Sequence, residues 1–339
     1  MIDTKDSRFE FVEKKELDYI APLNGYRLDC YRQALLPAII HFKRDIRPLL
    51  LANVGYFEFR KTLSFLELPL LNNEFSLQCL GIKQEYLYII NNDFIENVCK
   101  SIDENKIVIA YVDTYSYNRF PALCSNVHSR HGVLIYGYDL KNQFFNIIDS
   151  DFVENFERKK SIISFQDLVI AHAEMVDYYQ IPDYIELIDS FEDYNTNYPD
   201  MYISEYISFI KNNSEIFRKS TESLSNYAHY FNSILYKKEQ AMRTAYPIYM
   251  SFNKAINLRH LEYVSYSKIF KNIEEILSCL DDLIDCYNYV RAVMYKTLYA
   301  QQYREQSFLK CYDIITNIIE LEKKLYKLQC KNMSIDNII

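Results

Sequence analysis

The sequence predicts a mixed α/β first half followed by an all-helical second half, and three observations carry that division. All five glycines (Gly25, Gly55, Gly81, Gly132 and Gly137) lie at or before position 137. Glycine serves tight turns and strained backbone, so a long stretch without it points to helices joined by simple loops. Short β-branched and aromatic runs bounded by polar residues fall between 106 and 149, whereas apolar residues recur at steps of three and four beyond 269. The first pattern belongs to strands and the second to packed helices.

In chain order, "DCYRQALLPAIIHFKRDI" (29–46) has Ala34, Leu35, Ala38, Ile39 and Phe42 at helical spacing, with Asp29 as an N-cap and Pro37 as an expected kink. "KIVIAYVD" (106–113), "GVLIYGYD" (132–139) and "FFNIID" (144–149) read as strands, the last two forming a hairpin about Asn142. "SFQDLVIAHAEM" (164–175) reads as a helix capped by Ser164 that covers the sheet. The acidic, Pro199-containing stretch "DSFEDYNTNYPDMY" (189–202) is the expected linker, dividing a domain over 1–190 from a helical domain over 191–339. Ile269, Ile273, Ile276, Leu280, Leu283, Tyr287, Val290 and Met294 form one seam, and Ile314, Ile318, Leu321, Leu325 and Leu328 a second. Bundle core is the expected role of both, ahead of a partner-binding face.

Composition excludes several classes. A net charge of −8 argues against general nucleic-acid binding, which needs a basic footprint. The charged N-terminus lacks an apolar signal core, and no apolar run has the length of a membrane span, so the expectation is a cytoplasmic protein with no membrane partner. Eight cysteines are scattered without a C-x-x-C pair, which points to reduced, mostly buried thiols and to no metal.

One cysteine stands apart. Cys30 falls where a helix should start, and a helix N-terminus favours the thiolate. His131 heads a strand, and Asp149 closes the next strand eighteen residues later, roughly opposite across the hairpin. A thiolate nucleophile, an imidazole base and a carboxylate that orients it form a catalytic triad. Taken singly, Cys30 reads as a buried thiol, His131 as a strand-edge group and Asp149 as a turn residue. Their joint placement at element boundaries favours the triad. Asp151 is the alternative third member. Cys124 and His128 form a competing pair in the loop "PALCSNVHSR" (121–130), which lacks a helix start to acidify the thiol. His41 and His172 are assigned no chemistry.

The segments "DCYRQALLPAII", "KIVIAYVDTYSY" and "HGVLIYGYDLKNQFFNIIDSD", followed by "SFQDLVIAHAEM", resemble in order and spacing the papain-like Cys-His-Asp enzymes. The closer resemblance, over about residues 20–180, is to the butirosin-biosynthesis protein H N-terminal family, with a similarity to the amide-forming cysteine-protease homologues of closthioamide-type polythioamide assembly. It implies an α+β papain-like cysteine-protease fold for the first half. It also implies acyl or peptidyl transfer from a carrier-protein thioester, through an acyl-Cys30 intermediate, to a small amine or diamine, forming an amide. The expected partner is an acyl or peptidyl carrier protein whose phosphopantetheine arm holds the substrate; no other cofactor is expected. Papain-like enzymes place a glutamine shortly before the cysteine in the oxyanion hole; here Asn24 is the nearest amide, on a shorter arm. Ser150 stands where relatives often carry proline, and "LLLANVGYFEFRKTLSFLE" lacks a glycine-rich run; both departures bear on substrate more than on mechanism.

Two other readings remain open at this point: a cysteine hydrolase with water as acceptor, and a non-catalytic binding or scaffold protein. Carrier docking to so acidic a chain needs a local basic patch. The candidates are Lys43, Arg44, Arg47, Arg60 and Lys61, or Arg158, Lys159 and Lys160.

Overall fold

The computed structural model describes residues 12–18, 20, 22, 30–52, 54–60, 65–67, 70–71, 77–90, 93–117, 128–151, 157–191 and 195–339. In chain order the first elements are β1 (Lys14–Glu16), α1 (Cys30–His41), α2 (Arg47–Leu51), β2 (Val54–Gly55), β3 (Glu58–Arg60), β4 (Phe65–Glu67) and β5 (Leu70–Leu71). There follow β6 (Ile82–Tyr88), α3 (Phe94–Asp103), β7 (Ile107–Asp113), β8 (Arg130–Asp139), β9 (Phe144–Asp151), β10 (Glu157–Ser164), α4 (Phe165–Tyr179) and β11 (Tyr184–Ser190). The remainder is helical: α5 (Tyr198–Asn212), α6 (Ser214–Ile234), α7 (Lys238–Ile269), α8 (Glu274–Ala300) and α9 (Glu305–Asn332).

The chain divides into two compact units, residues 1–46 with 76–196 and residues 47–75 with 197–339. The crossing after 196 lies close to the break expected after residue 190. A contiguous 1–190 domain, however, does not account for 47–75, which belongs with the helices. Two contacts explain why. The Phe57 N–H donates to Ser220 Oγ at 2.8 Å in a buried setting. Gly55 packs so closely that a Cβ there would lie 2.3 Å from a methyl of Leu258. Neither long-range contact leaves a local trace in sequence.

The first unit is built on an antiparallel sheet ordered β10-β9-β8-β7-β11-β6, with β1 pairing alongside the end of β8. Every residue of β7 is buried, which is why "IVIAYVD" reads as a continuous apolar run. α4 packs on β7 and α1 on β8. Ser164 caps α4 as expected, its Oγ accepting from the Asp167 N–H at 3.0 Å. α1 passes through Pro37 to His41, with residues 34–39 all buried.

The β8–β9 hairpin turns where expected. The Asp139 carboxylate accepts from the Asn142 N–H at 2.9 Å and from Asn142 Nδ2 at 3.0 Å, a local bond that favours the turn. The register then shifts at a bulge between Ile135 and Gly137. Before the shift Asp139 faces Phe144; after it Leu134 faces Ile148. Side chains alternate faces with a period of two, so this one-residue slip exchanges the faces of everything beyond it. Continued one step, the shifted register sets Asp149 opposite Val133, on the same face as His131. Without the bulge, Asp149 would fall opposite Leu134 and face away.

In the second unit the first expected seam is buried throughout, from Ile269 to Met294, although it spans the break between α7 and α8. The second is rotated. α9 buries Phe308, Cys311, Ile315, Ile318, Leu325 and Gln329, while Ile314, Leu321 and Leu328 are half-buried. Polar residues hid the true stripe: Gln329 Nε2 donates to Tyr266 Oη at 3.0 Å, and Glu322 binds the buried Arg259 at 2.6 Å. The architecture is thus α+β, an antiparallel sheet of seven strands with a helical C-terminal region. Among the described residues, no helix is long and apolar enough to cross a membrane.

Candidate active site

Cys30 is the first residue of α1, whose first turn contains no acidic side chain to neutralise the positive end of the helix. Its Sγ lies 3.9 Å from the carbonyl of Arg130, the residue before His131. α1 lies against the strand at Gly132, the residue after His131: a Cβ there would make ordinary contact, 3.7 Å from both the Cys30 carbonyl and Tyr31 Cα. α1 therefore rests on the backbone that flanks the histidine.

His131 donates from Nε2 to Asp149 Oδ1 at 2.7 Å, and both side chains are almost fully buried. His131 also shares a side-chain hydrogen bond with Cys30. Tyr117 closes the far side, its hydroxyl donating to Asp149 Oδ2 at 2.7 Å. The described contacts run as a chain of hydrogen bonds: Cys30, His131, Asp149, Tyr117.

The charges reinforce the geometry. Burial disfavours a charged imidazole, but the Asp149 carboxylate, the hydrogen bond to it and the Cys30 sulfur outweigh burial and bring His131 from the ordinary 6.5 up to about 9. Burial alone would raise Asp149; the His131 charge and hydrogen bond, followed by Arg158 and Tyr117, hold it below the usual carboxylate value. At neutral pH the pair is imidazolium and carboxylate. Burial pushes Cys99 and Cys311 up to about 12 and Cys279 up to about 11, so none of these three supplies a thiolate at neutral pH.

A second polar cluster borders the first turn of α1. The Tyr111 hydroxyl donates to Glu186 Oε1 at 2.8 Å, Gln84 Nε2 donates to Oε2 at 3.1 Å, and Tyr31 also bonds this carboxylate. Burial raises the Glu186 pKa. The Arg130 guanidinium lies 3.6 Å above the Tyr111 ring.

Of the residues expected from sequence, Cys30, His131 and Asp149 come together. Asn24, Asp29 and Cys124 lie outside the described residues, as does the side chain of Asp151. His128, expected to pair with Cys124, places its Nδ1 2.6 Å from Asp113 Oδ2 and stacks its ring on Tyr115 and Tyr178. His172 is structural, bonding the Tyr111 carbonyl through Nδ1 and Asp183 through Nε2. One docking candidate is overturned. Arg158 is 1% exposed and turns inward, leaving only Lys159 and Lys160 exposed in that run. Of the other run, Arg47 is held by Asp200 at 2.9 Å, and Lys61 lies outside the described residues.

Tyr117 and Arg158 carried no sequence signal for these positions; the first stands in a tyrosine-rich chain and the second in an ordinary basic run. Among the described residues, no group of three or more His, Cys, Asp or Glu side chains is placed to hold a metal. The chain matches no protein-family model and no curated protein sequence.

Proposed function

We propose that this chain is a papain-like acyltransferase that carries an acyl or peptidyl group on Cys30 and delivers it to an amine. The observation that supports this reading most is the Cys30–His131–Asp149 arrangement, with a side-chain hydrogen bond between His131 and Cys30 and Nε2 held by the carboxylate at 2.7 Å.

The Cys30 thiolate attacks the carbonyl carbon of a pantetheine thioester. The N-terminal N–H groups of α1 face the developing oxyanion. The intermediate collapses by expelling the pantetheine thiolate, which takes the proton of the His131 imidazolium. One thioester has replaced another, so the step is nearly balanced. Acylation also removes the sulfur charge that helped hold the imidazole proton. His131 is then neutral and accepts a proton from the incoming amine as nitrogen attacks the acyl carbon. The Cys30 thiolate departs, the amide is released, and the imidazolium is restored. An acyl or peptidyl carrier protein is the natural donor, and a small amine or diamine the acceptor.

Cys30 is only half-buried, which favours a second reading in which water takes the place of the amine and the chain is a hydrolase. One assay separates the two. The protein is incubated with an acyl-pantetheine thioester, with and without a primary diamine, and the products are resolved by mass. Transfer requires amine-dependent amide that disappears in Cys30→Ala and His131→Ala. Free acid alone marks the hydrolase, and no turnover of either kind rejects both.

A further inference from the structure

Among the described residues, the largest fully buried side chain is a cation, Arg158, and its hydrogen bonds join the three segments that carry Cys30, His131 and Asp149. Nη2 donates to the Cys30 carbonyl at 2.7 Å and lies 3.4 Å from that of Gly132, next to His131. Nη1 reaches the carbonyl of Ile148, next to Asp149, at 3.4 Å, and Nε reaches Gln33 Oε1 on α1 at 3.3 Å. A guanidinium presents its donors in a fixed planar fork; a lysine ammonium has three donors on one atom and cannot span the same acceptors.

We propose that Arg158 is a positioning residue for acyl transfer: it ties the backbone of Cys30 to that of the His131 and Asp149 strands and biases Cys30 toward the thiolate. The inference rests on the triad reading given above. A buried cation one hydrogen bond from the nucleophile's own carbonyl lowers the cost of negative charge on the sulfur. The same charge already helps hold Asp149 ionised. The fork also resists sliding of α1 along β8, where Gly132 offers the helix no side chain to grip.

The test follows alkylation of Cys30 by iodoacetamide across pH, read at the Cys30 peptide by mass spectrometry, in wild type, Arg158→Gln and Arg158→Lys, with folding checked by circular dichroism. Arg158→Gln is expected to raise the alkylation midpoint by about one pH unit, and Arg158→Lys to restore most of it. Arg158→Lys keeps the charge but not the fork. It should still lose about tenfold in the rate of acyl-Cys30 formation from acetyl-N-acetylcysteamine thioester. A folded Arg158→Gln with the wild-type midpoint overturns the proposal. If that variant does not fold, wild-type acylation by Arg158→Lys overturns it alone. Failure of the triad reading is distinct: wild-type Cys30 would then titrate as an ordinary thiol, unaffected by His131→Ala.

Discussion

Nε2 of His131 lies 2.7 Å from Oδ1 of Asp149 because one extra residue in β8 turns both side chains to the same face of the sheet. The bulge between Ile135 and Gly137 converts a pairing that would separate them into a diagonal one that brings them together. A feature of strand register therefore sets the protonation of the histidine.

The carboxylate acts by both geometry and charge, and the two can be separated. Asp149→Asn keeps an acceptor for Nε2 but removes the charge that raises the imidazole, so the His131 pKa measured by NMR falls below about 9. Acylation by an acyl thioester should slow modestly. Asp149→Ala removes both effects and should cost roughly 10²- to 10³-fold. Tyr117→Phe, which removes only the bond to Oδ2, should cost less than about tenfold.

The pair also makes stability depend on pH. His131 is raised in the folded state, so its contribution is complete below 6.5 and is lost as pH rises through about 9. Asp149 is lowered, so its contribution is present above 3.8 and is lost as pH falls through its folded value. The Tm difference between wild type and His131→Ala should be largest between these limits and shrink on both sides. A difference constant from pH 5 to pH 10 would refute the pairing.

Gly137, at the bulge, lets β1 approach closely. A Cβ there would lie 2.7 Å from the Lys15 carbonyl, 2.8 Å from Asn146 Nδ2 and 3.0 Å from Glu16 Cα, and two of these are backbone atoms that cannot move aside cheaply. Gly137→Ala should cost about 1–3 kcal/mol in denaturant unfolding and slow acylation. Gly132→Ala adds a methyl at ordinary contact, 3.7 Å, and should change stability by less than about 0.5 kcal/mol.

Much of the first unit could be read from sequence because its signals are local. β7, the hairpin and the Ser164 cap each depend on residues within a few positions of one another, and Cys30 announced itself by standing at a helix start. What escaped depends on distant partners. Arg158 looks like any surface arginine in "ERKK" until β10 pairs with β9 and turns it beneath Cys30. Residues 47–75 look continuous with the first half until Gly55 meets Leu258. The α9 stripe was misplaced because Glu322 and Gln329 are polar at core positions, a pattern that hydrophobic periodicity misreads.

Glu322 belongs to a buried ion cluster that makes its own prediction. Arg259 binds Glu262 at 2.5 Å and Glu322 at 2.6 Å, and Tyr287 donates to Glu322 at 2.6 Å. Arg259→Met leaves two carboxylates without their cation and should destabilise the second unit by about 3–5 kcal/mol in chemical denaturation. Replacing all three charged residues with apolar ones of similar volume should recover most of that loss.

The most direct measurement is the intact mass of the protein after brief exposure to an acyl-pantetheine thioester at neutral pH. One added acyl group, mapped to Cys30, sensitive to hydroxylamine, missing in Cys30→Ala and much slower to form in His131→Ala, is the expected result. An unmodified wild-type protein, or equal labelling of Cys30→Ala, would contradict acyl carriage by this sulfur.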